Sequence, residues 1–166
     1  MRKIRVLFVC LGNICRSPLA EAIFKHKVKS RGWDHILEAD SCGTGNYHIG
    51  SQPDPRTIAN ATSNRVPINH CARQLSESDL EEFDYILAMD ASNLKNILSL
   101  PNATFHKHKI RLMRDYDPAY RGAEVPDPYF GNEDGFQNVF EILDNSMERF
   151  LDHLKVEHSL LVPGES

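Results

Sequence analysis

Residues Ile4 to Cys10 read IRVLFVC, a short β-branched-rich run that is continuously apolar from Val6 onward. A strand with one wet face alternates polar and apolar residues. A run without that alternation needs cover on both faces, as in the central strand of a parallel sheet. The rest of the chain supplies the cover. Ser17-Pro18 reads as a helix start, with Ser at N-cap and Pro at the first helical position. Leu19/Ile23 and Ala20/Phe24/Val28 then recur at four-residue spacing, and Gly32 ends the helix.

Further strands and helices follow in turn. Ile36 to Ser41 reads as a second strand, followed by a Gly43-Thr44-Gly45 loop. Asp54-Pro55 opens a helix running to about Asn64, and Ser76 or Ser78 caps a short helix before Phe83. Tyr85 to Met89 is a third strand, Ser92 to Leu100 a helix stopped by Pro101, and Lys109 to Met113 a fourth strand. Residues 115–131 form a long loop rich in Asp, Pro and Gly. Gly135 to Leu154 is a final helix with Phe136, Val139, Phe140, Leu143, Met147, Phe150, Leu151 and Leu154 at helical spacing. This order predicts an α/β single-domain three-layer fold: a central four-stranded parallel sheet with helices on both faces. The 166 residues suit one domain, placed at 1–156, with a weakly ordered tail at 157–166.

Composition narrows the function class. The net charge of −4 offers no basic stripe, so no nucleic-acid partner is expected. The apolar run after the basic N-terminus is too short for a signal core, and no segment approaches the ~20 apolar residues of a membrane span. A cytoplasmic protein is therefore expected, without a membrane partner. Its four cysteines (Cys10, Cys15, Cys42, Cys71) should then be reduced. None has the CxxC spacing of a zinc site. Cys42 and Cys71 read as packing cysteines. His106 and His108 share a predicted strand face without a third ligand, so no metal is expected there, and no cofactor is implied elsewhere. Glu81-Glu82 reads as a solvated helix face.

The chemistry is concentrated in Cys10-Leu11-Gly12-Asn13-Ile14-Cys15-Arg16-Ser17. A Cys six residues before an Arg is weak evidence alone, but this pair spans a loop between a strand end and a capped helix. Ligand crevices in such sheets lie at the carboxyl ends of the strands, beside helix N-termini. Loop amides and a helix N-terminus converging on one spot favour an anion, and the same field favours a thiolate at Cys10. Arg16 supplies a planar fork that matches two phosphate oxygens. No G-x-x-x-x-G-K-[ST] occurs, so this is not a nucleotide-type phosphate loop. A nucleophile also needs an acid for the departing oxygen. Asp127, held stiffly in Pro126-Asp127-Pro128-Tyr129-Phe130-Gly131, is the better candidate, and Asp117 in Asp117-Pro118-Ala119-Tyr120 stays open on the residues alone.

With CLGNICRSPLAEA at the N-terminus, PDPR at 53–56, His70 with Ala72-Arg73-Gln74, and DPYFG at 127–131, the chain resembles the low-molecular-weight protein tyrosine phosphatases over nearly its whole length. The resemblance implies a phosphatase acting on phosphotyrosine proteins or small aryl phosphates, inhibited by phosphate or vanadate; a monomer or weak dimer is the default expectation. It implies Cys10 as the phosphocysteine, Arg16 as phosphoryl ligand, and Asp127 as general acid and then base. Leu11, Gly12, Asn13, Ile14 and Cys15 would complete the phosphate loop. Ser17 would assist the leaving thiol, with Asn13 in a left-handed conformation braced by Ser41 and His70. Tyr47 would form one aromatic wall of the cleft, and Tyr129 and Phe130 the other. Many members carry Tyr at both of the latter positions, so Phe130 is a departure. In several members the cysteine beside the catalytic arginine pairs with the nucleophile on oxidation, which marks Cys15 as a candidate redox partner.

Rival readings differ at particular residues. Thioredoxin-coupled arsenate reductases resemble this loop but need two further cysteines near mid-chain, and residues 76–100 contain none. Protein-arginine phosphatases carry Thr where this chain has Ile14, whose apolar branch better suits a flat aryl ester. A non-catalytic phospho-binding module would have lost Cys10, Arg16 or Asp127, and all three are present.

Overall fold

The computed structural model describes residues 2–129, 131 and 133–161. Its centre is a four-stranded, all-parallel sheet ordered β2-β1-β3-β4, with β1 at Ile4–Cys10, β2 at Leu37–Gly43, β3 at Tyr85–Ala88 and β4 at Ile110–Leu112. Among the described residues the strands are joined and followed by α1 (Arg16–Ser30); α2 (Pro55–Ser63) and α3 (Glu77–Glu82), both between β2 and β3; α4 (Ala91–Leu98); and α5 (Glu133–Glu157). No described helix is long and apolar enough to cross a membrane.

The apolar run of β1 is buried on both sides, as its pattern requires. Val6, Phe8 and Cys10 pack into a core with α1 and α5, while Leu7 and Val9 pack into a second core with α3 and α4. Each fully buried large apolar side chain contributes about 1.5–3 kcal/mol. β1 pairs with β2 on one side and β3 on the other, so the sheet reverses direction of growth at β1. Its carboxyl end, which is Cys10, therefore lies at the topological switch point where open α/β sheets bind ligands.

Several boundaries differ from the sequence expectation. α1 begins at Arg16, with Cys15 at the N-cap position and no side-chain cap. Ser17 is not the cap, because its hydroxyl is engaged by Cys10 and Asn13. α4 is capped by Asp90, whose Oδ1 accepts from the Asn93 amide at 2.8 Å, and Ser92 lies inside the helix. α5 starts two residues earlier than its apolar spacing implies. His106 and His108 do not share a strand face; they sit in 3₁₀ turns before β4. Cys71 is exposed and so is not a core cysteine, whereas Cys42 is fully buried. Residues 157–161, assigned on sequence to the tail, make tertiary contacts. Leu160 is buried, His158 Nε2 lies 2.7 Å from the Tyr85 hydroxyl, and the Leu161 carbonyl accepts from Trp33 Nε1 at 2.7 Å.

Candidate active site

The segment from Cys10 to Arg16 leaves β1 and curls into the N-terminus of α1. Asn13 takes φ 57° in this curl and is 1% exposed. Its Nδ2 donates to Ser17 Oγ at 2.8 Å and to Ser41 Oγ at 3.0 Å. Its Oδ1 accepts from the Arg73 amide at 3.0 Å and lies 2.7 Å from His70 Nε2. An αL conformation that would be strained for most residues is thus fixed from both ends of one short amide. Gly43 seats the loop from the neighbouring strand: a Cβ there would lie 2.6 Å from the Leu11 carbonyl oxygen and 3.2 Å from the Asn13 nitrogen. The amides of Thr44 and Gly45 donate to the Cys10 and Leu11 carbonyls, both at 2.9 Å.

This bracing leaves a row of donors. Among the described residues, no protein acceptor takes the backbone N–H of Gly12, Asn13, Ile14 or Cys15. Asn13, Ile14 and Cys15 are nonetheless buried. Orphaned buried donors are costly, and successive amides in such a turn form an anion-binding concavity.

The cleft around them is lined by Cys10, Leu11, Gly12, Ile14, Cys15, Arg16, Tyr47, His48, Asp127 and Tyr129. Cys10 Sγ lies 2.9 Å from Ser17 Oγ. Arg16 is 3% exposed; its Nη1 donates to Asp90 Oδ2 at 2.7 Å and to the Val125 carbonyl at 3.0 Å. Its Nη2 lies 3.6 Å from Asp127 Oδ2, an ion pair longer than a hydrogen bond. Arg16 is therefore hydrogen-bonded through Nη1, while its Nε–Nη2 edge makes no hydrogen bond among the described residues and meets only the longer ion pair with Asp127. Asp127 Oδ1 accepts from the Tyr129 amide at 3.0 Å.

The two candidate acids separate cleanly. Asp127 reaches the cleft, while Asp117 is buried, accepting from the Ala119 amide and the Asn145 side chain. Tyr47 (71% exposed) and Tyr129 (37% exposed) both line the cleft; Phe130 lies outside the described residues. Burial pushes the Cys15 thiol up to about 12, against a hydrogen bond with Thr57 that pulls it down.

Sequence reasoning passed over Asp90, Glu21, His48 and Arg56. Glu21 lies on the core side of α1, where its Oε1 accepts from Ser41 Oγ at 2.7 Å and lies 3.2 Å from His70 Nδ1. Burial alone would raise its carboxyl, but hydrogen bonds with His70, Lys25 and Ser41 outweigh that and hold it below the ordinary range. A charge on an otherwise apolar helix stripe was the available signal. Glu21, Asp40 and His70 bring ligand-type atoms within 4.8 Å of one another. Each already has protein partners, since Asp40 Oδ2 takes Arg73 Nε at 2.9 Å and His70 faces Asn13, so the group reads as bracing for the loop.

Comparisons with known proteins agree with this geometry. A family model described as low molecular weight phosphotyrosine protein phosphatase matches residues 5–160. A Schizosaccharomyces pombe protein named low molecular weight phosphotyrosine protein phosphatase is 45% identical over 152 residues, covering 90% of this chain and 96% of the relative. The crystal structure of YfkJ from Bacillus subtilis superposes with TM-score 0.88 at 40% identity, covering 95% of this chain and 98% of the other. A Drosophila structure named as an arginine phosphatase superposes with TM-score 0.82 at 36% identity, covering 92% and 98%.

Proposed function

This chain belongs to the low molecular weight phosphotyrosine protein phosphatase family, and from that premise we propose that it hydrolyses phosphotyrosine monoesters through a phosphocysteine on Cys10. The observation that carries the reading is the row of unpaired backbone amides from Gly12 to Cys15, ending at the Arg16 edge that makes no hydrogen bond and opening beside Cys10 Sγ. A tetrahedral dianion satisfies both sets of donors at once. Nothing else in the cleft needs that arrangement.

The steps follow from the groups in reach. The phosphoryl oxygens take the loop amides and the Nε–Nη2 fork of Arg16, which also matches the charge spread over the equatorial oxygens as the transfer proceeds. The Cys10 thiolate attacks phosphorus; the S–P bond forms, the bond to the tyrosyl oxygen breaks, and Asp127 gives its proton to that oxygen. Asp127, now a carboxylate, takes a proton from water as the water attacks phosphorus and the S–P bond breaks. Cys10 leaves as a thiolate, stabilised by the Ser17 hydroxyl 2.9 Å away. Tyr47 and Tyr129 offer apolar walls to the aryl ring, and Ile14 leaves its position without a polar group for a guanidinium leaving group.

The finer expectations belong to the same reading. Phosphate and vanadate compete for the anion cradle, the protein works in the cytoplasm as a monomer or weak dimer, and its activity responds to oxidation at Cys10 with Cys15 as partner.

The deciding experiment is release of phosphate from phosphotyrosine, phosphoserine and phosphoarginine peptides in chelator, with wild type and Cys10→Ser. Cys10-dependent release from phosphotyrosine is the expected result. The 36% identity to an arginine phosphatase structure makes the phosphoarginine arm necessary. Preferential release there reassigns the substrate, and no release from any peptide leaves only phosphate binding.

A further inference from the structure

The segment that carries Asp127 is a loop between β4 and α5, and its placement against the anion cradle sets the acid's reach. At one end the Val125 amide donates to the Met89 carbonyl at 2.8 Å. The other end is held by Arg56, the second residue of α2. Arg56 Nε and Nη2 donate to Asp54 Oδ1 and Oδ2 at 3.0 and 2.9 Å, and Nη2 also donates to the Tyr129 carbonyl at 3.0 Å. The same guanidinium lies over two rings, with Cζ 5.5 Å from the Tyr129 centroid and 4.7 Å from that of Phe136 in α5.

Asp54 ties this clamp to the cradle. Its backbone N–H donates to the Ile14 carbonyl at 2.8 Å, in the middle of the anion loop. At the far end, the Tyr129 backbone is held at both its N–H and its carbonyl. Its carbonyl accepts from Arg56, and its N–H donates to Asp127 Oδ1 at 3.0 Å. A continuous path of hydrogen bonds thus runs from Ile14 through Asp54, Arg56 and Tyr129 to the Asp127 carboxylate. The pair at its centre stays ionised: hydrogen bonds from Arg56 hold the Asp54 carboxyl below its ordinary range.

We infer that Arg56 is a positioning residue that registers the Asp127 segment onto the anion loop and so sets how well the departing oxygen is protonated. This rests on the proposed phosphatase reading, with Asp127 as the acid. Arg56 does not itself line the cleft, so it acts through the residues it holds: Tyr129, which lines the cleft beside Asp127, and Asp54, which is tied to the anion loop. A planar fork is required, because one guanidinium must reach two carboxylate oxygens and a carbonyl while lying against two rings. Lysine offers a point charge and cannot do all of these together.

The test uses Arg56→Met, which keeps an unbranched apolar stem beside Phe136, and Arg56→Lys. kcat/KM is measured for p-nitrophenyl phosphate, whose leaving oxygen needs little proton help, and for phenyl phosphate, whose leaving oxygen needs much. The affinity for inorganic phosphate is measured alongside. General-acid help is worth ~10²–10⁴-fold in rate, and misplacing the acid should forfeit part of it. Arg56→Met is expected to lower kcat/KM for phenyl phosphate by about tenfold or more, with p-nitrophenyl phosphate and phosphate affinity changed less than about threefold. Arg56→Lys should fall between Met and wild type. An equal loss on both esters, a parallel loss of phosphate affinity, or no loss on phenyl phosphate overturns the inference. Wild-type turnover of both esters is the control: its absence would sink the phosphatase reading itself, whereas its presence with any of those three results sinks the role of Arg56 alone.

Discussion

Replacing Asn13 by alanine tests whether one side chain builds the anion cradle. Asn13 is 1% exposed, sits at φ 57°, and its amide faces Ser17, Ser41, His70 and the Arg73 backbone N–H. The two serine hydroxyls keep other partners when it is lost, since Ser17 retains Cys10 and Ser41 retains Glu21. The Arg73 N–H has no such alternative among the described residues, and leaving this half-buried donor unpaired costs about 1 kcal/mol, the low end for a lost partner. Alanine in the αL region costs a further ~1–2 kcal/mol, because it lacks the short polar group that makes Asn tolerable there. The space left by the amide adds about 1 kcal/mol. The expected destabilisation is therefore about 3–4 kcal/mol, a large share of the ~5–15 kcal/mol that holds a domain together. Asn13→Gly separates the terms. It loses the same hydrogen bonds and frees the backbone of strain, but its unfolded chain gains ~0.4–1 kcal/mol of entropy, so it should be more stable than Asn13→Ala by about 1 kcal/mol. Urea unfolding with matched m-values gives both stabilities, and titration with inorganic phosphate reports the cradle directly. A cost below about 1 kcal/mol for Asn13→Ala, or a glycine variant no more stable than the alanine one, would show that Gly43 and the Thr44 and Gly45 amides shape the loop without the Asn13 side chain.

The remaining expectations each have their own measurement. Asp127→Ala should lower kcat/KM for phenyl phosphate by roughly 10²-fold or more while sparing p-nitrophenyl phosphate, whereas Asp117→Ala should alter thermal stability and leave the leaving-group dependence unchanged; the reverse pattern makes Asp117 the acid. With its thiol pushed up to about 12 by burial, Cys15 reacts as a small thiolate fraction at neutral pH, so disulfide closure onto peroxide-oxidised Cys10 should speed up steadily as pH rises. Quenched mass spectrometry follows the closure; a pH-independent rate, or full thiol recovery of a Cys15→Ala enzyme, removes Cys15 from that role. Glu148 is one contributor to acid stability: burial would raise its carboxyl, but Lys27 and Arg31 hold it below the ordinary value. A depressed folded-state pKa gives stability that is complete above the unfolded value of about 4.3 and lost as pH falls through the lower folded one. Unfolding free energy should therefore drop below about pH 4.5, and Glu148→Gln should flatten that slope; an unchanged slope would show that the ion pair does not couple to folding.

How much of this was legible in the sequence depended on how local each determinant is. The continuous apolar run of β1 dictated a strand covered on both faces, and its end at Cys10 placed the chemistry at a strand terminus. The eight residues from Cys10 to Ser17 hold the anion loop together, so their spacing could be read directly. The start of α1 could not. Ser17-Pro18 has the local grammar of a cap, but the Ser17 hydroxyl is taken by Cys10 and Asn13, and tertiary demand outweighed the cap it would have supplied. β2 runs on to Gly43 because its register pairs Gly43 with Cys10, and register is invisible along one strand. His106 and His108 are spaced at period two, but their segment turns, since the short β4 takes up only Ile110–Leu112.

The residues that hold the catalytic groups in place were harder to see than the groups themselves, for a physical reason. A thiol, a guanidinium and a carboxylate announce themselves by type, whereas a brace is defined by what it touches. Asp90 meets Arg16 across 74 positions and Arg56 meets the Tyr129 carbonyl across 73, and no periodicity links such pairs. Only Glu21 left a local trace, as a charge among the core-facing residues of α1. A buried carboxylate survives there only if several donors converge on it, and they do: Ser41, Lys25 and, on the other side of the same network, the His70 that faces Asn13. A charge on an apolar stripe therefore predicts a polar partner network inside the fold before any partner can be named. In this chain that network ends on the one non-glycine residue of the anion loop that takes a positive φ.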